Sequence, residues 1–190
     1  MSGSADSGAA DAVFGRLAAF RAEIKTLAWF GACGAPLGDA ERALAQGYVA
    51  SLGLGDLPVA AVPDWRQAEA TIRRADWGRE WWEAETAAEQ ALHRMGAARY
   101  GRAPLLKALT EITEEAVALR DHAAAALARA GISSEALAKV AGGAVGQACH
   151  QRALALLTEA PDHHAFVRKF RLFARGRWPL GVVARSCFVF

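Results

Sequence analysis

Alanine dominates this sequence, contributing 46 of its 190 residues. Alanine has the highest helix propensity of any residue and buries little side-chain area, whereas β-strands favour β-branched and aromatic residues. Such a chain therefore favours closely spaced helices over a β-sandwich or a barrel. The 22% of charged residues and the mean hydropathy of +0.10 exclude wholesale disorder, and the length fits one domain.

Hydrophobic periodicity and the Gly, Pro, Asp and Ser residues between the periodic segments predict the helices. With their caps, the helices are expected over 11–30, 39–52, 64–74, 77–99, 104–130, 133–159 and 161–175. The segment 53–64 is expected to be an extended connector, and residues 1–10 are expected to be disordered. The predicted fold is a mostly α, single-domain bundle of about six to seven helices over 11–190.

The last residues of the chain change character, because β-formers surround a short polar stretch near Arg185. We expect a short C-terminal β strand or a small hairpin there. The Asn-Gly or Asp-Gly pair that marks a tight hairpin turn is missing, so the sequence leaves these two forms open.

The net charge of +2 hides an uneven distribution. Residues 1–162 carry 16 basic and 20 acidic side chains, whereas 163–190 carry six basic and no acidic ones. A basic amphipathic helix is typical of a surface that contacts an acidic protein partner or an anionic small molecule. The alternative is that this segment neutralises the acidic faces of the helices over 77–99 and 104–130. The near-neutral total argues against a nucleic-acid partner.

This charge pattern gives the first functional hypothesis, a cytoplasmic binding or accessory module that acts through a partner. The candidate contact residues are Arg168, Lys169, Arg171, Arg175, Arg177 and Trp82. Helical spacing turns Trp82 away from the core side of Trp77 and Trp81, and an exposed tryptophan is a frequent interface anchor. A homo-oligomer contact is one use of such a residue, and local packing is another.

Three arginines on apolar helix faces give the second hypothesis. Arg99, Arg120 and Arg152 fall on or beside predicted core faces, and a buried guanidinium needs a partner. They predict an interhelical pocket for a carboxylate or phosphate ligand, with His150 and Glu85 as further polar groups. The chain would then be an enzyme or a small-molecule-binding bundle. Arginine side chains that extend along apolar surface into solvent explain the same pattern.

Two Glu/His stripes give a third hypothesis, a carboxylate-bridged di-metal site. Its candidate ligands are Glu85, Glu89 and His93 on the helix over 77–99, and Glu111, Glu115 and His122 on the helix over 104–130. A short turn should make these two helices antiparallel neighbours. The Glu-x-x-His pair of ferritin-like sites is missing, however, and both stripes are displaced from the core faces. Solvated helix faces with ion pairs explain them equally well.

Three glycines, Gly142, Gly143 and Gly146, interrupt the helix over 133–159 at a cost of about 1 kcal/mol each. They predict that a neighbouring helix or a flat ligand approaches the backbone closely. Cys33, Cys149 and Cys187 are widely spaced and are expected to be reduced thiols. The sequence shows no signal peptide, no membrane-spanning run and no nucleotide-binding glycine loop, so we expect a cytoplasmic protein and no particular cofactor is implied.

Overall fold

The computed structural model describes residue 15 and residues 17–190, so the predicted disorder of 1–10 lies outside the described residues. The helices are α1 (17–26), α2 (Asp39–Ser51), α3 (Trp65–Ile72), α4 (Arg79–Tyr100), α5 (Arg102–Ala118), α6 (Arg120–Arg129), α7 (Glu135–Leu157) and α8 (Ala165–Ala174). The strands are β1 (Val59–Ala61), β2 (Pro179–Val183) and β3 (Ser186–Val189). The predicted mostly α fold with a small C-terminal β element is confirmed.

Helix α7 lies at the centre of the bundle, where it contacts α4, α5, α6 and α8. Its buried face is built largely from small side chains such as Ala141, Ala148 and Ala153, which let several neighbours approach. The bulky part of the core lies beside α8, where the ring of Phe170 packs edge-on against Phe20 at 5.2 Å between centroids. The tight apposition expected around 133–159 is therefore present.

The single helix predicted over 104–130 is wrong, because the chain forms α5 and α6 with a break at Leu119. No glycine or proline lies between Leu105 and Ala130 that could cause this break locally. Both helices pack against α7, and the side chain of Arg120 lies directly over Gly142. We attribute the break to this packing, since local helix propensity favours continuation.

The strands form one sheet in the order β1-β3-β2, with β1 parallel and β2 antiparallel to β3. The C-terminal residues are thus a hairpin, and the expected connector contributes a strand to the same sheet. The two-residue turn places Ala184 and Arg185 at φ values of 46° and 61°, a region that glycine or asparagine usually occupies. The N–H of Ala184 donates to the carbonyl of Asp76 at 3.2 Å, which ties the turn to the segment before α4.

The three cysteines are free thiols, as expected. Burial is the main cause that raises the pKa of each of Cys33, Cys149 and Cys187 to about 12. These thiols therefore stay protonated at neutral pH and serve as packing groups. Along 17–190, no helix combines the length and the apolar character that crossing a bilayer requires.

Candidate functional site

A cavity of about 640 Å³ opens among α4, α7, α8 and β2. This volume lies within the range of small-molecule pockets in proteins. Exposed Trp82 and Val140, at 58% and 45% exposure, stand at its entrance. We call this space the aromatic cavity, because its wall contains Trp77, Trp81, Trp82, Phe173 and Trp178.

The junction between β2 and the start of α4 shapes one wall of the aromatic cavity. The N–H of Gly78 donates to the carbonyl of Val182 at 2.9 Å and fixes the helix start against the strand. Gly181 has a φ of 126°, and a Cβ there would lie 2.6 Å from the Trp81 ring. Only glycine at this position therefore leaves room for the six-membered ring of Trp81, which lines the cavity.

One buried cation, Lys169 of α8, lines the aromatic cavity. Its Nζ donates to Oε1 of the buried Glu85 at 2.6 Å. The hydroxyl of Tyr48 donates to the same oxygen at 2.6 Å, and Nε1 of Trp81 donates to the Tyr48 hydroxyl at 2.7 Å. Burial first, and then the charge of Glu85, raise the pKa of Tyr48 well above its usual value, so Tyr48 remains a donor. Oε1 of Glu85 thus accepts two hydrogen bonds.

The glycines of α7 differ in what surrounds them. At Gly142 a Cβ would lie 2.9 Å from Cγ of Arg120, so the predicted close approach is found there. At Gly143 and Gly146 a Cβ would meet no heavy atom within 4 Å, so nothing in the described chain approaches closely. Gly143 instead lines the aromatic cavity. The lack of a side chain at this position leaves the cavity wider.

This difference predicts opposite outcomes for two neighbouring substitutions. Gly143→Ala should raise the free energy of unfolding by about 0.5–1 kcal/mol, because it restores helix propensity without a clash. Gly142→Ala should give no such gain, since its Cβ displaces the stem of Arg120. Urea unfolding of the two variants measures both effects. Equal stabilisation by both would contradict the packing described for Gly142.

A second cluster lies where α4 meets α7. Nε2 of His93 lies 3.1 Å from Nε2 of His150, and Oε1 of Glu89 lies 3.8 Å from Nε2 of His150. The buried Gln151 donates from Nε2 to Oε2 of Glu89 at 2.9 Å. Burial is the main cause that lowers the pKa of His150, so its imidazole is neutral at pH 7. Glu89 and His93 also line a smaller cavity of about 230 Å³.

The structure separates the arginines of the predicted anion pocket. Arg99 is exposed and pairs with Glu159 at 2.9 Å, and Arg120 is an exposed residue whose stem lies over Gly142. Arg152 is half-buried, and burial is the main cause that lowers its pKa. None of the three lines the aromatic cavity or the smaller cavity. The other two predicted members, His150 and Glu85, belong to the two different clusters described above.

The six-residue di-metal arrangement is also not assembled. Glu111 and Glu115 of α5 turn towards α1, where Arg21 donates to both of them. His122 is an exposed residue of α6, and Glu85 is held by Lys169 and Tyr48. The prediction paired α4 with α5 because a short turn joins them. Glu89 and His93 instead face α7, which lies against both helices.

The basic segment is divided between the interior and the surface, because two of its six basic residues are buried, one is half-buried and three are exposed. Lys169 and Arg177 are buried, and Arg177 pairs with Glu41 of α2 at 2.7 Å. Arg168 donates to the carbonyl of Gly47 at 2.6 Å, and Arg171 is exposed and pairs with Asp162. Of the other candidates, Arg175 is exposed and Trp82 stands at the entrance of the aromatic cavity.

Several site residues were not predicted. Tyr48 and Gln151 carry no sequence signal, because their roles depend on helices that are distant in sequence. The aromatic wall does have a signal, since Trp77, Trp81 and Trp82 cluster at the start of one helix. The sequence does not show that Trp178 and Phe173, which are distant along the chain, line the same cavity as these three tryptophans.

Comparison with known proteins gives no relative: no protein-family model, no curated protein and no solved structure matches this chain. Its class is therefore defined by its own geometry, a mostly α domain with a three-stranded sheet and an aromatic cavity beside a buried Lys-Glu pair.

Proposed function

We propose that this protein binds a small apolar molecule that contains an aromatic ring and an oxygen acceptor, and that the aromatic cavity is the binding site. The observation that carries the proposal is a buried lysine, Lys169, in a lining of which three quarters of the residues are aromatic, aliphatic or glycine. Ligand sites commonly combine such apolar walls with a few polar groups that fix the ligand's orientation.

The wall residues favour a planar apolar ligand. Four of the six tryptophans of the chain line the cavity. Aromatic rings stack on each other in offset or edge-on arrangements and gain energy beyond the burial of area. On the α7 side the cavity has a smooth apolar surface, because the residues there have small side chains or none: Val140, Gly143 and Ala144. A flat ring system fits between a surface of this kind and the indoles.

The polar end of the cavity favours an oxygen acceptor on the ligand. An ammonium group has three N–H donors, and Glu85 accepts one from Lys169. In the described part of the chain, no other hydrogen-bond acceptor contacts this ammonium group. A carbonyl, sulfonate or carboxylate oxygen of a ligand supplies the missing acceptor.

This proposal belongs to the class of small-molecule-binding bundles, but its site differs from the arginine pocket expected from the sequence. The competing hypothesis, an exposed basic surface for a protein partner, has less support. Two of its six residues, Lys169 and Arg177, are buried, and Arg168 and Arg171 have partners within the chain.

The proposal is tested by measuring how a fluorescent probe binds to the protein before and after a larger side chain is introduced at the cavity. The probe is 1-anilinonaphthalene-8-sulfonate, whose fluorescence rises in an apolar site and which carries ring and acceptor together. We expect one saturable site per chain and an affinity lower by on the order of tenfold or more in Val140→Trp, since the larger side chain occupies the entrance. The matched control is Val117→Trp, because Val117 is 47% exposed and lies on α5, away from this cavity.

Two results would overturn the proposal. One is a wild-type protein that binds the probe without saturation at one site. The other is an equal affinity of Val140→Trp and Val117→Trp for the probe. Circular dichroism and thermal unfolding of both variants establish that each is folded before the affinities are compared.

A further inference from the structure

We propose that Glu89, His93 and His150 form a site for one divalent transition-metal ion per chain, of the type that zinc occupies. The three donor atoms lie within 4.8 Å of one another. The site is mononuclear and joins α4 to α7, so it differs from the di-metal arrangement expected from the sequence. It does not depend on ligand binding in the aromatic cavity.

The distances suit a metal ion. Zinc bonds of about 2.0–2.1 Å place two tetrahedral ligand atoms roughly 3.3 Å apart. The Nε2 to Nε2 distance between His93 and His150 is 3.1 Å, and Oε1 of Glu89 is 3.8 Å from Nε2 of His150. These values lie on either side of the tetrahedral spacing. Closing the donors around an ion therefore requires side-chain shifts on the order of 1 Å or less for these two pairs.

The helices supply the donors in a favourable pattern. Glu89 and His93 are one turn apart on α4 and lie on the same face, and His150 meets them from α7. Two imidazoles and one carboxylate form the ligand set of several catalytic zinc sites and of non-haem iron sites. All three side chains are partly buried, which limits competition from bulk water.

A supporting hydrogen bond is already in place around Glu89. Gln151, which is 1% exposed, donates from its amide to Oε2 of Glu89 at 2.9 Å. This leaves Oε1 as the oxygen that faces His150. Metal-binding carboxylates are commonly oriented by such outer hydrogen bonds, whose removal weakens metal binding by about 10–100-fold.

The smaller cavity of about 230 Å³ gives the ion an open coordination position. Glu89 and His93 line it, together with Glu85, Trp82 and Gln147. Trp82 and Gln147 line the aromatic cavity as well, so the two spaces are neighbours. A water molecule or another small ligand can reach a bound ion from this side.

The competing explanation of the same geometry is a direct hydrogen bond between the two imidazoles, with no metal. The experiment uses protein purified without a metal-affinity tag and titrated with Zn²⁺ by calorimetry and with Co²⁺ by visible absorption. We expect one ion per chain, and Co²⁺ bands of a low-coordinate site. His93→Gln and His150→Gln should abolish this binding, and Gln151→Met should weaken it by about 10–100-fold.

The matched control is His122→Gln, because His122 is exposed on α6 and is not a member of the cluster. It should bind both ions like the wild type. If His150→Gln fails to fold, Glu89→Gln replaces it, since the Glu89 side chain is 29% exposed and tolerates an isosteric change better. The proposal is overturned if the wild type binds neither ion stoichiometrically, or if the cluster variants bind them as tightly as His122→Gln.

Discussion

Replacing Arg177 by methionine is expected to lower the free energy of unfolding by about 3 kcal/mol, the lower end of the cost of removing one partner of a buried ion pair, because Arg177 is buried and Glu41 is partly buried. The guanidinium of Arg177 donates to both carboxylate oxygens of Glu41, at 2.7 and 3.1 Å. It also donates to the carbonyls of Ala35 and Pro36, at 2.6 and 2.8 Å. Methionine retains the apolar stem but removes the guanidinium donor from these carbonyls, and it leaves Glu41 with the N–H of Gly38, at 2.8 Å, in place of the ion pair.

The matched control for this variant is Arg175→Met, two residues earlier on the chain. Arg175 is exposed, so its replacement should change stability by no more than about 0.5 kcal/mol. Chemical unfolding at pH 7 measures both variants. Equal stabilities of Arg175→Met and Arg177→Met would show that the buried guanidinium does not hold the segment before α2 in place.

The same contact gives a pH dependence. The hydrogen bonds from Arg177 are the main cause that lowers the pKa of Glu41 below its ordinary value of 4.5. A carboxylate with a lowered native pKa stabilises the fold fully above its unfolded pKa, and this contribution is lost as the pH falls through the native pKa. The stability difference between wild type and Arg177→Met should therefore be constant near neutral pH and shrink below about pH 4.5.

Replacing Lys169 by methionine should have an effect of similar size, a loss of about 3–5 kcal/mol, because it leaves Glu85 buried without its cation. Glu85→Gln alone should also destabilise the protein, since it leaves the buried ammonium group without a counter-charge. The double variant should recover a large part of either loss, because the amide oxygen of glutamine still accepts from Tyr48. Urea unfolding of the four proteins completes the cycle.

The double variant also separates stability from ligand binding. We expect it to bind N-phenyl-1-naphthylamine, which lacks the sulfonate, as the wild type does. Its affinity for 1-anilinonaphthalene-8-sulfonate should fall by about tenfold, because the ammonium donor is missing. Simple additivity of the two single losses would contradict the Lys169–Glu85 coupling. An unchanged preference for the sulfonate would contradict the role of Lys169 in the aromatic cavity.

The helices and strands were predicted from local sequence patterns. These predictions are correct where interactions over a few residues determine the structure. Asp64 caps α3 by accepting from the N–H of Gln67 at 2.8 Å, within the range predicted from Asp64 onwards. The break at Leu119 has no local cause and was missed. The hairpin turn at Ala184 and Arg185 also lacks the usual residues, so the sequence left strand and hairpin open.

The sequence identified many of the residues of the two clusters, but it grouped them into the wrong sites. Glu89, His93 and His150 were each selected, but His150 was assigned to a different pocket from the other two. Lys169 was selected as a surface cation, although its ammonium group lies against Glu85. The first error arose because helix neighbours were chosen by the length of the connecting turn, whereas α7 contacts α4, α5, α6 and α8 alike.

The sequence by itself determined the helical class, the positions of most helices and the chemistry available on each face, because alanine content, periodicity and caps act over a few residues. The tertiary structure decided which faces meet. It placed Arg177 against Glu41 and Lys169 against Glu85, and it joined α4 to α7 rather than to α5 at the Glu/His cluster. The α4–α7 contact depends on the small side chains along α7, which let several helices approach at once, and spacing along the chain does not record that packing.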